Sequence, residues 1–180
     1  MSKCRKLSYI AIIIIVIAII LLFSFSYFTN FNINNSSNSN NSINSKEFNL
    51  SGEEVTINGL RTLIPKSYQN GEIIVKPGIN TYQTKNGSIY VTVYSDSKDG
   101  DSVYDGDMEY FAYGKFNEDK NPKRENITLN NQNILYVTQH SDIRGDYRLA
   151  FFEAKNKRVM IEWVGSNLSD DVKNIILGFY

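Results

Sequence analysis

Residues 126–164 read NITLNNQNILYVTQHSDIRGDYRLAFFEAKNKRVMIEWV, and this stretch decides the predicted fold. Four runs in it are rich in β-branched and aromatic residues, a composition typical of strands. They span 126–129, 134–140, 147–154 and 158–164. Short polar segments separate the runs, and such segments favour turns. The stretch therefore predicts an antiparallel meander of four strands.

Further strands are predicted upstream of the meander, each beside a turn signal. Asn58-Gly59, flanked by the apolar positions of 55–64, is a strong hairpin signal, and Pro65 ends its second strand. Pro77-Gly78 separates runs 72–76 and 79–84, and Asn86-Gly87 precedes the alternating run 88–94. Together with the meander, these runs predict an antiparallel sheet of about six to seven strands.

Two helices are predicted in the same part of the chain. Residues 108–116 place Met108, Phe111, Ala112 and Phe116 on one helix face, although Gly114 weakens the pattern. Near the end of the chain, Ser169 is a good N-cap for a helix that would pack on the sheet. Its apolar stripe is Val172, Ile175, Ile176 and Phe179. Strands that do not alternate with helices indicate the α+β class.

The order of these elements resembles a known fold. An Ile64-Pro65 step closes the first hairpin and is followed by the turn Lys66-Ser67-Tyr68, a mid-chain helix, the meander and a final helix. Over residues 53–180 this layout resembles the PsbP-like α/β fold, and it is similar to small, singly anchored surface proteins of methanogenic archaea. The resemblance implies a binding or assembly module rather than an enzyme.

At the other end of the chain, 22 uncharged residues, 7–28, follow Lys3, Arg5 and Lys6. As a helix they would span roughly 33 Å, enough to cross a hydrocarbon core of ~30 Å. The run therefore predicts a single-pass membrane anchor. A cleavable leader is the alternative, because Ser24 and Ser26 form a small-x-small pair.

The charge distribution predicts the orientation of this anchor. Residues 1–46 contain no acidic residue, and the first cation after the apolar run is Lys46. Cations cluster on the cytoplasmic side, so the amino terminus is expected inside and residues 47–180 outside the cell membrane. Cys4, the sole cysteine, lies on the inner side as a palmitoylation site or an unmodified thiol.

The predicted organisation is a stub and anchor at 1–29, a disordered Asn/Ser-rich linker at 30–46, and an α+β domain at 47–180. In the linker, Asn34, Asn35 and Asn40 begin possible glycosylation sites. All 19 acidic residues but only 15 of the 19 basic residues lie in 47–180. This mildly acidic balance argues against binding nucleic acid.

A group of acidic residues between 96 and 107 suggests a calcium site. The candidate ligands are Asp99, Asp101, Asp105 and Asp107, with Gly100 and Gly106 allowing a tight loop. Counted from Asp96 as the first position, the helix–loop–helix calcium motif would have Lys98 at its third position. The spacing therefore does not match that motif. The alternative is a solvated loop in which Asp105 or Asp107 caps the helix that follows.

Tyr90 and Tyr94 lie on one face of the predicted strand 88–94, opposite Ile89, Val91 and Val93. If the aliphatic face belongs to the core, the tyrosine face forms either a binding surface for a protein or a sugar, or a second core layer under a helix.

Other candidate chemistry is sparse. His140 is the only histidine, and the adjacent Ser141 should point to the opposite face of its strand, so a catalytic triad is not expected. Glu153 and Glu162 lie on adjacent predicted strands and could form an acid pair for glycoside hydrolysis or cross-strand ion pairs. No cofactor motif is present, and no cofactor is predicted.

Three functions remain open from the sequence. The first is a non-enzymatic cell-surface module that binds a protein or glycan. The second is a tethered hydrolase of envelope polymers that uses acidic residues. The third is a structural envelope protein without a small ligand.

Overall fold

A computed structural model describes residues 50–115, 117, 119–165 and 167–180. The predicted anchor at 7–28 and the linker at 30–46 lie outside this part of the chain. Within the described residues, none of the helices has the length and apolar character needed to cross a membrane.

The described residues form nine strands and two α-helices. The strands are β1 (Glu53–Ile57), β2 (Leu60–Ile64), β3 (Gly71–Lys76), β4 (Ile79–Thr84), β5 (Ile89–Tyr94), β6 (Lys123–Leu129), β7 (Gln132–Ser141), β8 (Gly145–Ala154) and β9 (Lys157–Val164). The helices are α1 (Lys98–Asp107) and α2 (Asp170–Leu177). A 3-10 turn covers Lys66–Tyr68, and a π-helical turn, Met108–Ala112, continues α1.

Seven strands form one antiparallel sheet in the order β3-β4-β5-β9-β8-β7-β6. β1 and β2 pair only with each other, as a separate hairpin. The predicted α+β class, the antiparallel sheet and the meander β6 to β9 are confirmed. The meander strands begin earlier than predicted by one to three residues, because β7, β8 and β9 pair up to the closing residues of their turns and β6 pairs along β7 as far as Lys123 opposite Thr138.

One face of the sheet, here called the hairpin face, is covered by the β1–β2 hairpin and α2. Its core is aliphatic and aromatic, and it includes Val91 on β5 and Ile161 and Trp163 on β9. Two positive φ angles, 49° at Asn58 and 79° at Gly59, give the tight turn that the sequence predicts.

α2 forms where the sequence predicts it. Ser169 caps the helix by accepting a hydrogen bond from the Val172 backbone N–H at 3.3 Å. Val172, Ile175 and Ile176 are buried in the core of the hairpin face. Because this helix is only eight residues long, packing rather than propensity holds it in place.

The opposite face, here called the α1 face, is covered by α1 and the π-helical turn. Its buried core contains Tyr94, Leu149, Phe151 and Met160, packed below side chains of the helix and the turn. The aliphatic positions of β5 therefore lie on one face of the sheet and Tyr94 on the other.

The sequence predicts the mid-chain helix at 108–116, but the helix starts ten residues earlier, and its π-helical end, Met108–Ala112, is the part that overlaps the predicted range. The helix begins at Lys98, capped by Ser97, whose side chain accepts from the Gly100 backbone N–H at 3.2 Å. Asp105 and Asp107 therefore do not cap its beginning. A Cβ at Gly100 would lie 2.1 Å from the Ser95 carbonyl oxygen, so this glycine is required by close packing rather than by a flexible loop.

Candidate functional site

The acidic residues proposed for calcium lie along α1 instead of around a loop. Asp101 forms an ion pair with Arg158 on β9, and Asp107 accepts a hydrogen bond from the Tyr94 hydroxyl at 2.6 Å. In the part of the chain that the structure describes, no three His, Cys, Asp or Glu side chains are grouped to hold a metal ion. The geometry gives Asp99, Asp101, Asp105 and Asp107 no support as calcium ligands.

Tyr94 belongs to the second core layer, so its assignment to a binding surface is wrong. Only 1% of the residue is exposed, and its ring meets that of Tyr104 edge-on at 5.0 Å. Burial and the negative charge of Asp107 raise the pKa of the Tyr94 phenol. Burial likewise raises the pKa of Asp107, partly offset by the hydrogen bond from Tyr94.

Tyr90, the other tyrosine proposed for binding, is half-buried and borders a polar group on the α1 face. We call Tyr90, Arg144, Tyr147 and Glu162 the arginine cluster. The Arg144 guanidinium carbon lies 4.9 Å from the ring centroid of Tyr147 and 6.0 Å from that of Tyr90. Such distances allow a cation–π interaction.

Glu162 binds the Arg144 guanidinium on its buried side. Its carboxylate accepts a hydrogen bond from Arg144, and its side chain is 7% exposed, whereas that of Arg144 is 39% exposed. Tyr90 lies directly opposite Glu162 in the pairing of β5 with β9, and Tyr147 opposes Val164 two residues further along β9. Three adjacent strands, β5, β9 and β8, thus place Tyr90, Glu162 and Tyr147 around Arg144. Arg144 itself comes from the β7–β8 turn.

The electrostatics of the cluster follow from this burial. Removal from water raises the pKa of Glu162, Arg144 opposes that shift, and the charge of Asp107 adds to it. For Arg144, burial acts to lower the pKa, but the hydrogen bond and charge of Glu162 outweigh it and raise the pKa overall. Arg144 is therefore cationic at any physiological pH. A guanidinium has five N–H donors, more than one carboxylate can accept, so donors remain for a ligand.

A buried network fixes Tyr147. Its hydroxyl donates to the Gln139 side-chain oxygen at 2.9 Å, and the Asn117 amide donates to the same oxygen at 2.6 Å. The Gln139 amide in turn donates to the Phe111 carbonyl oxygen in the π-helical turn. Asn117 also contacts the Tyr147 hydroxyl and the Tyr110 carbonyl oxygen, each at 3.3 Å. These contacts link the cluster to a turn whose Tyr110 is 39% exposed.

His140 lies apart from the cluster, at an open surface depression lined by Asp119, Lys120, Asn121, His140 and Asp142. Its Nδ1 is 2.7 Å from an Asp146 carboxylate oxygen, and this hydrogen bond raises the pKa of the imidazole. The Ser141 hydroxyl instead accepts from the backbone N–H groups of Ile143 and Arg144, both at 3.3 Å. His140 and Ser141 thus have different partners, in agreement with their expected opposite orientations.

Glu153 and Glu162 share the α1 face but are far apart. In the pairing of β8 with β9, Glu162 opposes Leu149, four residues along the strand from Glu153. At about 3.3 Å per residue this is roughly 13 Å, more than the ~5–9 Å that separates paired carboxylates in glycosidases. Arg158, which faces Glu153 in the register, forms its ion pair with Asp101.

Arg144 and Tyr147 are not among the residues that the sequence singles out, whereas their neighbours Tyr90 and Glu162 are. The segment 142–145 is recognisable from the sequence only as a turn. The local signal that could have indicated the cluster is an arginine in a turn between strands that contain tyrosines. No protein-family model, no curated protein and no solved structure matches this chain. The resemblance to the PsbP-like fold accordingly stays a prediction.

Proposed function

We propose that this chain is a non-enzymatic binding module, carried on the outer side of a membrane by a single anchor at 7–28 and a linker at 30–46. The sequence supports the anchor through the uncharged run and the three cations before it. One observation supports binding. Arg144 is held half-exposed between two tyrosine rings by a buried glutamate, an arrangement fixed before any ligand arrives.

The surroundings of the cluster favour a protein partner. Ile143, next to Arg144, is 86% exposed, and Val164, which opposes Tyr147, is 47% exposed. Arginine and tyrosine are enriched in protein–protein hot spots, and the exposed aliphatic side chains beside them would be covered by a bound protein. The outward donors of Arg144 fit a carboxylate, so the expected partner presents an Asp or Glu side chain within an apolar surface.

Site-specific photo-crosslinking in cells that express the full chain tests this proposal. A photoreactive amino acid at Ile143 should give one discrete protein adduct, and Arg144→Ala should abolish it. The matched control places the same group at Glu153, an exposed residue on the same sheet face roughly 13 Å from Glu162. No adduct at Ile143, or an adduct unaffected by Arg144→Ala, would refute a partner at the arginine cluster. Adducts that migrate as a heterogeneous glycan would show that the partner is a sugar and not a protein.

The anchor is tested separately by proteolysis of whole cells. An externally added protease should digest residues 47–180 while the first residues of the chain stay protected. Cytosolic labelling of the domain, with resistance to external protease, would reverse the orientation.

A further inference from the structure

The two edge strands of the seven-stranded sheet differ in their exposed side chains. β3 reads GEIIVK, with Ile73 42% and Val75 72% exposed. β6 reads KRENITL, and the residues it exposes are charged or polar. Charges along the whole of an edge strand resist pairing with other chains, whereas exposed apolar side chains on an edge make it a template for another strand; on β3 the charges, Glu72 and Lys76, flank the apolar residues. β3 is therefore the edge suited to an interface.

Hairpin geometry shows which backbone groups of β3 point outward. β3 and β4 are joined by the two-residue turn Pro77-Gly78, with Lys76 opposite Ile79 as the closing pair. The closing pair of such a hairpin exchanges backbone hydrogen bonds, and bonded pairs then alternate along the strands. Ile74 and Glu72 consequently bond to β4. Ile73 and Val75 direct their N–H and C=O groups away from the sheet.

We propose that β3 pairs in antiparallel fashion with β3 of a second copy, about a two-fold axis at Ile74. In this register Ile73 opposes Val75 of the second copy, and their outward backbone groups form hydrogen-bonded pairs on both sides of the axis. The two exposed aliphatic side chains then cover each other. Two seven-stranded sheets become one continuous sheet with an isologous interface.

The charges of β3 select this register. Centring the pairing on Ile74 places Glu72 opposite Lys76 of the second copy, twice in the dimer, and opposite charges across a strand pair are stabilising. Centring it on Ile73 places Glu72 opposite Ile74, and centring it on Val75 places Lys76 opposite Ile74, so neither alternative pairs the two charges. On β6 the equivalent register centred on Glu125 would bring two glutamates together, which is destabilising.

This interface is separate from the arginine cluster, and neither proposal requires the other. A single pair of six-residue strands buries little surface, so the dimer is expected to be weak in dilute solution. Covalent trapping is therefore the suitable measurement. The two Ile74 residues form a non-hydrogen-bonded pair, in which Cα atoms lie about 4.5 Å apart, within the range of a disulfide.

The experiment uses the full chain in membranes, with Cys4→Ser as background so that no other thiol is present. Under mild oxidation, Ile74→Cys should give a disulfide-linked dimer. The matched control is Glu125→Cys, the exposed β6 position that would lie on the two-fold axis of the equivalent register, and it should stay monomeric because that edge exposes polar and charged side chains beside it. Equal dimer yields from both positions, or none from Ile74→Cys, would overturn the proposal. A disulfide to a different protein would also overturn it.

A charge swap then tests the register. In the Ile74→Cys chain, Glu72→Lys should lower dimer formation by about tenfold, because both ion pairs become repulsive. Adding Lys76→Glu to that variant should restore dimer formation, since the opposite charges are paired again. Dimer yields that do not respond to Glu72→Lys, or that the double swap fails to restore, would contradict the Ile74-centred register.

Discussion

The two faces of the sheet differ in the size and the chemistry of what they bury, and the hairpin face has the larger hydrophobic core. The hairpin face packs strand residues such as Val91 and Ile161 against the β1–β2 hairpin and α2, and most of its buried side chains are apolar, with Arg148 opposite Trp163 as the buried charge. The α1 face buries Glu162, Gln139 and Asn117 among its aromatic residues. Buried polar groups lower the stability of a fold unless they form hydrogen bonds. Because they are concentrated on the α1 face, we infer that the hairpin face mainly stabilises the fold, whereas the α1 face positions the side chains of the arginine cluster.

The largest expected effect of a substitution is on the hairpin face. Trp163 is 1% exposed, and its indole N–H donates to the Asn167 carbonyl oxygen at 3.0 Å. Trp163→Ala should lower the free energy of unfolding of residues 47–180 by about 3–5 kcal/mol, because it leaves a large cavity. Chemical denaturation measures this change. A loss below about 1 kcal/mol would mean that this face is not the principal core.

A smaller effect is expected from the network on the α1 face. Gln139→Leu keeps the volume but leaves the Tyr147 hydroxyl, the Asn117 amide and the Phe111 carbonyl without this partner. The free energy of unfolding should fall by about 1–3 kcal/mol. Gln83→Leu, which removes one exposed contact of 3.4 Å to Glu72, is the control and should be nearly neutral. Equal effects of the two variants would show that the buried network is not stabilising.

Glu162 should give a still smaller effect that depends on pH. Because burial raises its pKa in the folded state above the unfolded value, the folded chain binds the proton more tightly. The contribution of Glu162 to stability is therefore present at pH values below 4.5 and is lost as pH rises through the folded pKa. Melting curves between pH 4 and 7 should show the wild type losing stability relative to Glu162→Gln as pH increases. The opposite slope would mean that Arg144 outweighs the cost of burial.

The smallest effect concerns His140, an exposed residue near the end of β7. Asp146 raises the pKa of the imidazole above 6.5 in the folded chain, so the stabilisation is complete below pH 6.5 and lost as pH rises through the folded pKa. NMR titration of this sole histidine should show the raised pKa, and Asp146→Asn should bring it back towards 6.5. Because the pair is exposed, the melting temperature should hardly change. If the pKa of the His140 imidazole is unchanged in Asp146→Asn, the hydrogen bond to Asp146 is not what raises it.

The elements that the sequence predicts well are those with strong local signals. The Asn58-Gly59 turn and the bounds of β4 agree with prediction, and so does the Ser169 cap, because each depends on the conformational preferences of a few neighbouring residues. The sequence misplaces α1 because its ten residues contain two glycines and four aspartates in place of an apolar stripe. Its cap at Ser97 was the local signal that could have located it.

The candidate site was harder to predict than the fold. Tyr90 was singled out, but Arg144 and Glu162 lie 54 and 72 residues further along the chain. They meet it only because β5 pairs with β9 and because the β7–β8 turn reaches the same face. The same β5 pattern left two outcomes open for Tyr94, and packing of α1 decided that it is buried.

By itself, the sequence determined the class of fold, the antiparallel meander, the first hairpin and the last helix, since alternation, turns and caps are local properties. It also determined the expectation of an anchor, through hydropathy and charge alone. Only the tertiary structure decided that β5 lies beside β9, that Tyr94 is core, and that a buried glutamate holds Arg144 between two tyrosines. These features depend on the pairing of segments that are distant in the sequence. The free energy of that pairing comes from the burial of side chains and from the strand register, and no local sequence pattern encodes either of them.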